Sequence, residues 1–204
     1  MLMNAIERAM VNNPVRTAML HGTVRWLRDS SVGRPVEHAL EIGCGRGDGI
    51  RQIVATFDPR RVDAFDLDPA QVARARARLA ADPPGAAVRL WVGDAERIPA
   101  ADATYDAVFE FTILHHVPHW VRALDEIRRV LRPGGLFLFE ELSREFFEDV
   151  PLLSPLMRRF TVHPWDVMFD RRAFQRALGE SGLRTTAFRT QLVPGWHRGV
   201  AVAQ

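Results

Sequence analysis

The chain has 204 residues with 27 basic and 25 acidic side chains, and its net charge of +2 gives no electrostatic case for nucleic acid or an anionic membrane surface. That length suits one domain with a sizeable core, and the single cysteine, Cys44, excludes an internal disulfide. Every cation is an arginine, which removes any mechanism that needs a lysine. No apolar run approaches the roughly 20 residues that span a bilayer. The stretch Met1–Arg8 carries Glu7 and lacks a continuous apolar region, so no signal peptide and no membrane partner are expected, and the expected compartment is cytoplasmic.

Residues 4–29 read as one or two amphipathic helices. Ile6, Met10, Val11, Met19, Val24 and Leu27 recur at helical spacing, with Pro14 expected to interrupt them. Val36–Ile42 is a short apolar run that ends in a glycine cluster, and residues 48–57 follow as a helix. Val62–Leu67 is a second run, and Pro69 suits the first position of the Pro69–Leu79 helix. Val88–Val92 and Tyr105–Phe111 are the third and fourth runs. A helix over Trp120–Leu131 is expected to stop before Pro133-Gly134-Gly135, ahead of a fifth strand over Leu136–Glu140. A helix over Arg171–Gly182 precedes strands at Thr185–Thr190 and Arg198–Ala203, whose short Pro194-Gly195 connection implies an antiparallel hairpin. Strands alternating with helices predict a doubly wound α/β fold with a mostly parallel sheet.

The glycine cluster Gly43-Cys44-Gly45-Arg46-Gly47 lies where a strand turns into a helix, and there the backbone must turn tightly and admit a ligand. About 20 residues on, Asp66 ends the second strand, where an acid can accept both hydroxyls of a ribose. Singly these residues also suit plainer roles: glycines for a tight turn, Asp66 or Asp68 as a helix cap, Asp94 as a cap. Together they predict a nucleoside-bearing cofactor at the strand ends. The dinucleotide fingerprint G-x-G-x-x-G fails in both registers, because its last glycine falls on Asp48 or Ile50. Asp48 at a helix entrance would also oppose a pyrophosphate. S-adenosylmethionine carries no phosphate, and the charge of Glu41 suits its methionyl ammonium.

Glu41-Ile42-Gly43-Cys44-Gly45-Arg46-Gly47 resembles motif I of the class I S-adenosylmethionine-dependent methyltransferases. Asp66 resembles their ribose-binding acid, and Val92-Gly93-Asp94-Ala95 the motif that meets the adenine amino group. Tyr105-Asp106-Ala107-Val108-Phe109 resembles motif IV, and Arg129–Gly135 the stretch before strand five. Leu114-His115-His116-Val117 is similar to the His-His pair of small-molecule, methyltransferase type 11-like members. The resemblance implies a Rossmann-like seven-stranded sheet of order 3-2-1-4-5-7-6 with N-terminal helices and a helical lid insertion. It implies a cofactor site of Glu41, Gly43, Cys44, Gly45, Asp66, Leu67, Asp94 and Ala95, with Phe111 and His116 at the methionyl end. The product is S-adenosylhomocysteine. A single domain over residues 1–204 is expected, with a lid at 1–30, a cofactor-binding core at 36–141, an acceptor segment at 143–170 and a terminal helix and hairpin at 171–204.

Methyl transfer from a sulfonium is an in-line displacement that needs alignment more than covalent chemistry. A hydroxyl or phenol acceptor also benefits from a base, and His116, His115 and Glu141 are the catalytic candidates, with His163 a further option. A histidine there equally suits packing or capping. Cys44 reads as a packing residue, and no third ligand accompanies His163 and Asp166 to make a metal site. The acceptor segment holds Phe146, Phe147, Leu152, Leu153, Leu156, Met157, Phe160, Trp165, Met168 and Phe169. It suits a lid over an apolar or aromatic small molecule, and equally a local core or a homodimer face. The expected reaction places the methyl group on an O, N or C atom of that acceptor. Three other readings compete. A nucleotide oxidoreductase lacks its fingerprint and its lysine. A nucleic-acid methyltransferase lacks an Asn/Asp-Pro-Pro-aromatic tetrad where Glu110-Phe111-Thr112-Ile113 stands. A non-catalytic cofactor-binding module would keep the same motifs.

Overall fold

A computed structural model describes residues 13–31, 33–149, 155 and 164–204. Helix α1 spans Pro14–Ser30, and the Asn13 side chain caps it by accepting the Arg16 amide at 3.0 Å. Pro14, expected to interrupt the helical pattern, stands at the start of this helix: at the first turn its missing N–H leaves no intrahelical bond unmade. The part of the expected helix before residue 13 lies outside the described residues. Leu20, Val24 and Leu27 fall on the buried side of α1, one helical turn apart.

The alternation that follows is β1 His38–Ile42, α2 Asp48–Phe57, β2 Arg61–Asp66, α3 Pro69–Ala81 and β3 Ala87–Val92. Then come β4 Tyr105–Phe111, a one-turn 3-10 helix at Leu114–His116, α4 Trp120–Val130, β5 Leu131–Leu142 and α5 Arg144–Glu148. A second 3-10 turn at Trp165–Val167 precedes α6 Arg171–Glu180 and the hairpin β6 Leu183–Thr190 and β7 Trp196–Ala203.

The sheet has seven strands in the order β3-β2-β1-β4-β5-β7-β6, as expected. Strands β1 to β5 pair in parallel, and β7 runs antiparallel to both β5 and β6. The strand interiors are apolar because both faces are covered. Leu40, Ile42, Phe137 and Phe139 meet α4 and α6 on one face. Ala39, Val62, Phe109 and Leu138 meet α1 and α2 on the other. No described helix is long and apolar enough to cross a membrane.

Strand β5 is longer than the expected Leu136–Glu140. Leu131 already pairs with Tyr105, and the register then jumps to Ala107 opposite Leu136. Arg132-Pro133-Gly134-Gly135 therefore loops out within a paired strand instead of separating helix from strand. The topology positions the site: β2 lies on one side of β1 and β4 on the other, so the chain leaves β1 at the point where strand order reverses.

Candidate active site

The loop after β1 is tied to the end of β2. Cys44 N–H donates to the Phe65 carbonyl at 2.9 Å, and Gly45 N–H donates to Asp66 Oδ2 at 2.9 Å. Asp66 Oδ1 accepts the Asp68 amide at 2.9 Å. The carboxylate is thus fixed by backbone donors on both oxygens, with lone pairs to spare for a ligand's hydroxyls. Burial raises the Asp66 pKa, opposed by those backbone hydrogen bonds. Asp68, not Asp66, caps α3, accepting the Ala70 amide at 2.8 Å. Gly43 has φ 69°, and a Cβ there would overlap the side chain of Ile113, so this position requires glycine twice over.

Two adjoining recesses open at this switch point and share Gly43, Asp66 and Ile113. The first is lined by Glu41, Cys44, Gly45 and Phe111, with Arg16, Thr17 and Gln71 as further members. The second is lined by Leu67, Asp94, Ala95 and His116. Every residue expected to hold the cofactor therefore lines one recess or the other. Phe111 and His116, expected together at the methionyl end, lie in different recesses.

Glu41 dominates the first recess. It is 2 % exposed, its Oε2 has no hydrogen-bond partner among the described residues, and its carboxylate rests against Gly49 in the first turn of α2. Burial, then the charges of Asp66 and Asp48, push its pKa well above the usual carboxylate range. A buried carboxylate without a partner is unfavourable until a cation meets it. The methionyl ammonium of S-adenosylmethionine supplies one, so the residues present fit that cofactor. A pyrophosphate would meet Glu41, Asp66 and Asp48 around the same loop, a poor match for its charge. Cys44 is buried, and burial with Glu41 and Asp66 nearby raises its thiol pKa, which fits a packing residue and not a nucleophile.

Behind the recesses, β4 and β5 end in three fully buried glutamates. Glu141 accepts the Leu114 and Leu142 amides, both at 2.6 Å, and pairs with His115 Nδ1. Glu140 points to the other face, as strand alternation requires, where it pairs with Arg16 at 2.6 Å and accepts from Thr23 Oγ1. Glu110 accepts the Ile113 amide at 3.2 Å, and burial followed by the Glu141 charge raises its pKa strongly. The rings of His115 and His116 pack at 4.2 Å between centroids. His115 and Glu141 line neither recess and stand behind His116. Thr112 joins β4 to this cluster at φ 62°, a strained conformation for a β-branched residue.

The sequence motifs did not point to Arg16, Thr17, Gln71 or Ile113. Gln71 sits three residues after the Asp68 cap, a spacing that marks a helix start but not a ligand contact. His163, Leu152, Leu153, Leu156, Met157 and Phe160 lie outside the described residues. Phe147 and Met168 are buried together, with Phe146 and Trp165 against them.

Residues 40–139 match the family described as the methyltransferase domain. A phthiotriol/phenolphthiotriol dimycocerosates methyltransferase of Mycobacterium tuberculosis is 38% identical over 108 residues, which cover 52% of this chain and 38% of that one. A fatty-acid O-methyltransferase of Mycolicibacterium smegmatis is 33% identical over 117 residues, 56% of this chain and 40% of that one. The chain thus spans about two fifths of the length of these curated relatives. Geranyl diphosphate C-methyltransferase from Streptomyces coelicolor, solved with S-adenosyl-L-homocysteine, has the same fold, with a TM-score of 0.72 at 16% identity over 99% of this chain and 88% of that one. Residues 40–139 thus form a methyltransferase domain, of the class I, S-adenosylmethionine-dependent kind that its motifs resemble.

Proposed function

We propose that this chain moves the methyl group of S-adenosylmethionine to an O, N or C atom of a small apolar or aromatic acceptor. The observation that carries the reading is the buried Glu41 carboxylate beside Asp66 at the switch point, whose Oε2 has no hydrogen-bond partner among the described residues. Asp66 and Leu67 would hold the ribose, Asp94 and Ala95 the adenine, and Glu41 with the glycine loop the methionyl end. Bound there, the cofactor supplies an electrophilic methyl group on a positively charged sulfur.

The protein's contribution is alignment and, for a hydroxyl acceptor, proton removal. His116 lines a recess and takes the acceptor's proton on its ring. His115 and Glu141 act as positioning residues: the Glu141 carboxylate, itself fixed by two amides, holds the His115 ring that packs on His116. Of the expected lid, the described residues 13–30, 143–149 and 164–170 would border the acceptor. The apolar group of Phe146, Phe147, Trp165 and Met168 supports that reading, as do the names of the two mycobacterial relatives, which are methyltransferases of lipids.

The test is transfer of radiolabelled methyl by the full chain to a panel of fatty acids, phenols and polar controls. Label in an apolar or phenolic product, with loss of kcat and of the acid-side fall of the pH profile in His116→Asn, is the expected result. Cofactor binding with no transfer to any acceptor would favour a non-catalytic binding module instead.

A further inference from the structure

The first recess contains polar atoms that the motifs leave unexplained. Arg16, on α1, uses one arm of its guanidinium: Nη2 pairs with Glu140 Oε1 at 2.6 Å. Its Nη1 is buried and has no hydrogen-bond partner among the described residues. Gln71, in the first turn of α3, is fully buried. Arg74 donates to its Oε1 at 3.3 Å, which fixes the amide orientation, and Nε2 is left without a partner among the described residues. Both side chains line the same recess as Glu41.

Such buried donors are normally satisfied, so their company here requires a common explanation. One unmatched carboxylate oxygen and two unmatched N–H donors, one of them cationic, are the complement of an α-amino acid zwitterion. The ammonium belongs to Glu41. A carboxylate fits an arginine whose planar fork has one arm already anchored, because the second arm is then pre-aimed. The anchor is itself held: Glu140 also accepts from Thr23 Oγ1 and from Gln191 Nε2, the latter at 3.4 Å.

We infer that Arg16 and Gln71 bind the α-carboxylate of the cofactor's methionyl tail, which makes helix α1 part of the cofactor site and not only a cover over the acceptor. This assignment rests on the cofactor reading above. It makes the contribution of both residues depend on a part of the ligand that can be removed chemically. S-adenosylmethionine and S-adenosylhomocysteine carry the amino-acid end, whereas 5′-methylthioadenosine keeps the nucleoside and lacks it.

The experiment is calorimetric titration of the full chain and of two variants, Arg16→Met and Gln71→Leu, with those three compounds. Each variant should lose about tenfold or more in affinity for the two amino-acid-bearing nucleosides, the usual effect of a lost charge-assisted hydrogen bond, and none for methylthioadenosine. Because Arg16→Met strands the buried Glu140, the paired variant Arg16→Met with Glu140→Gln is titrated alongside it, and Gln71→Leu disturbs no ion pair. Equal losses for all three compounds, or no loss for any, overturn the assignment. Wild-type protein that binds methylthioadenosine as tightly as S-adenosylhomocysteine overturns it while sparing the nucleoside site. Wild-type protein that binds none of the three overturns the cofactor reading and this assignment with it.

Discussion

The carboxylate of Glu41, at the end of β1, rests against the α-carbon of Gly49 in the first turn of α2. A side chain at residue 49 and the observed position of Glu41 cannot coexist. Gly49 is therefore what lets a buried acid face the first recess. Gly49→Ala should keep the fold, since alanine favours a helix interior over glycine by up to about 1 kcal/mol. It should also weaken S-adenosylmethionine binding by about tenfold or more, because Glu41 must move. Circular dichroism and titration calorimetry read the two effects, and unchanged affinity would mean that Glu41 does not touch the ligand.

Glu41 should cost the ligand-free protein stability. Its pKa is raised in the fold by burial and by Asp66 and Asp48, so the folded state keeps a proton that the unfolded chain releases. The stability associated with this group is present below the unfolded carboxylate pKa of about 4.3 and is lost as pH rises through the folded value. Glu41→Gln removes that loss. The variant should melt higher than the wild type at pH 8, by at least about 2 °C for a chain of this size, and the gap should close on acidification. Its affinity for S-adenosylmethionine should fall at the same time. A variant that melts lower at pH 8 would contradict the account of an unpartnered acid.

Asp66→Ala should weaken both S-adenosylmethionine and S-adenosylhomocysteine by more than about tenfold, since it removes charge-assisted hydrogen bonds to ligand hydroxyls. It also frees the Gly45 amide, so the thermal midpoint must be followed as well. Asp66→Asn, which can still accept from that amide, should recover more of the melting temperature than of the affinity. Recovery of both together would assign Asp66 to the loop alone.

The sequence made the parallel core and the cofactor loop legible because both depend on local pattern. Apolar runs such as Val62–Leu67 read directly as buried strands, and the glycines after β1 mark a turn that few other residues can make. Pro14 was legible as a break in the helical pattern, but that the break is a capped helix start shows only in the Asn13 side chain. The bulge at Arg132–Gly135 was hidden because proline and glycine signal a turn whether the strand restarts or loops out. Arg16 and Gln71 were illegible for a different reason. Their role depends on which polar atoms are left unmatched once α1 and α3 have packed, and no spacing along the chain encodes that. Glu140 and Glu141 lay between these cases: alternation along β5 sent them to opposite faces, but only the packed partners show what each one does.

The most direct test of the central claim is titration of the purified protein with S-adenosylmethionine, S-adenosylhomocysteine and NAD in parallel. Micromolar binding of the first two and no response to NAD is the predicted result, because Glu41 demands a cation where a dinucleotide would bring phosphate. Tight binding of NAD with no response to either methionine-derived nucleoside would contradict it.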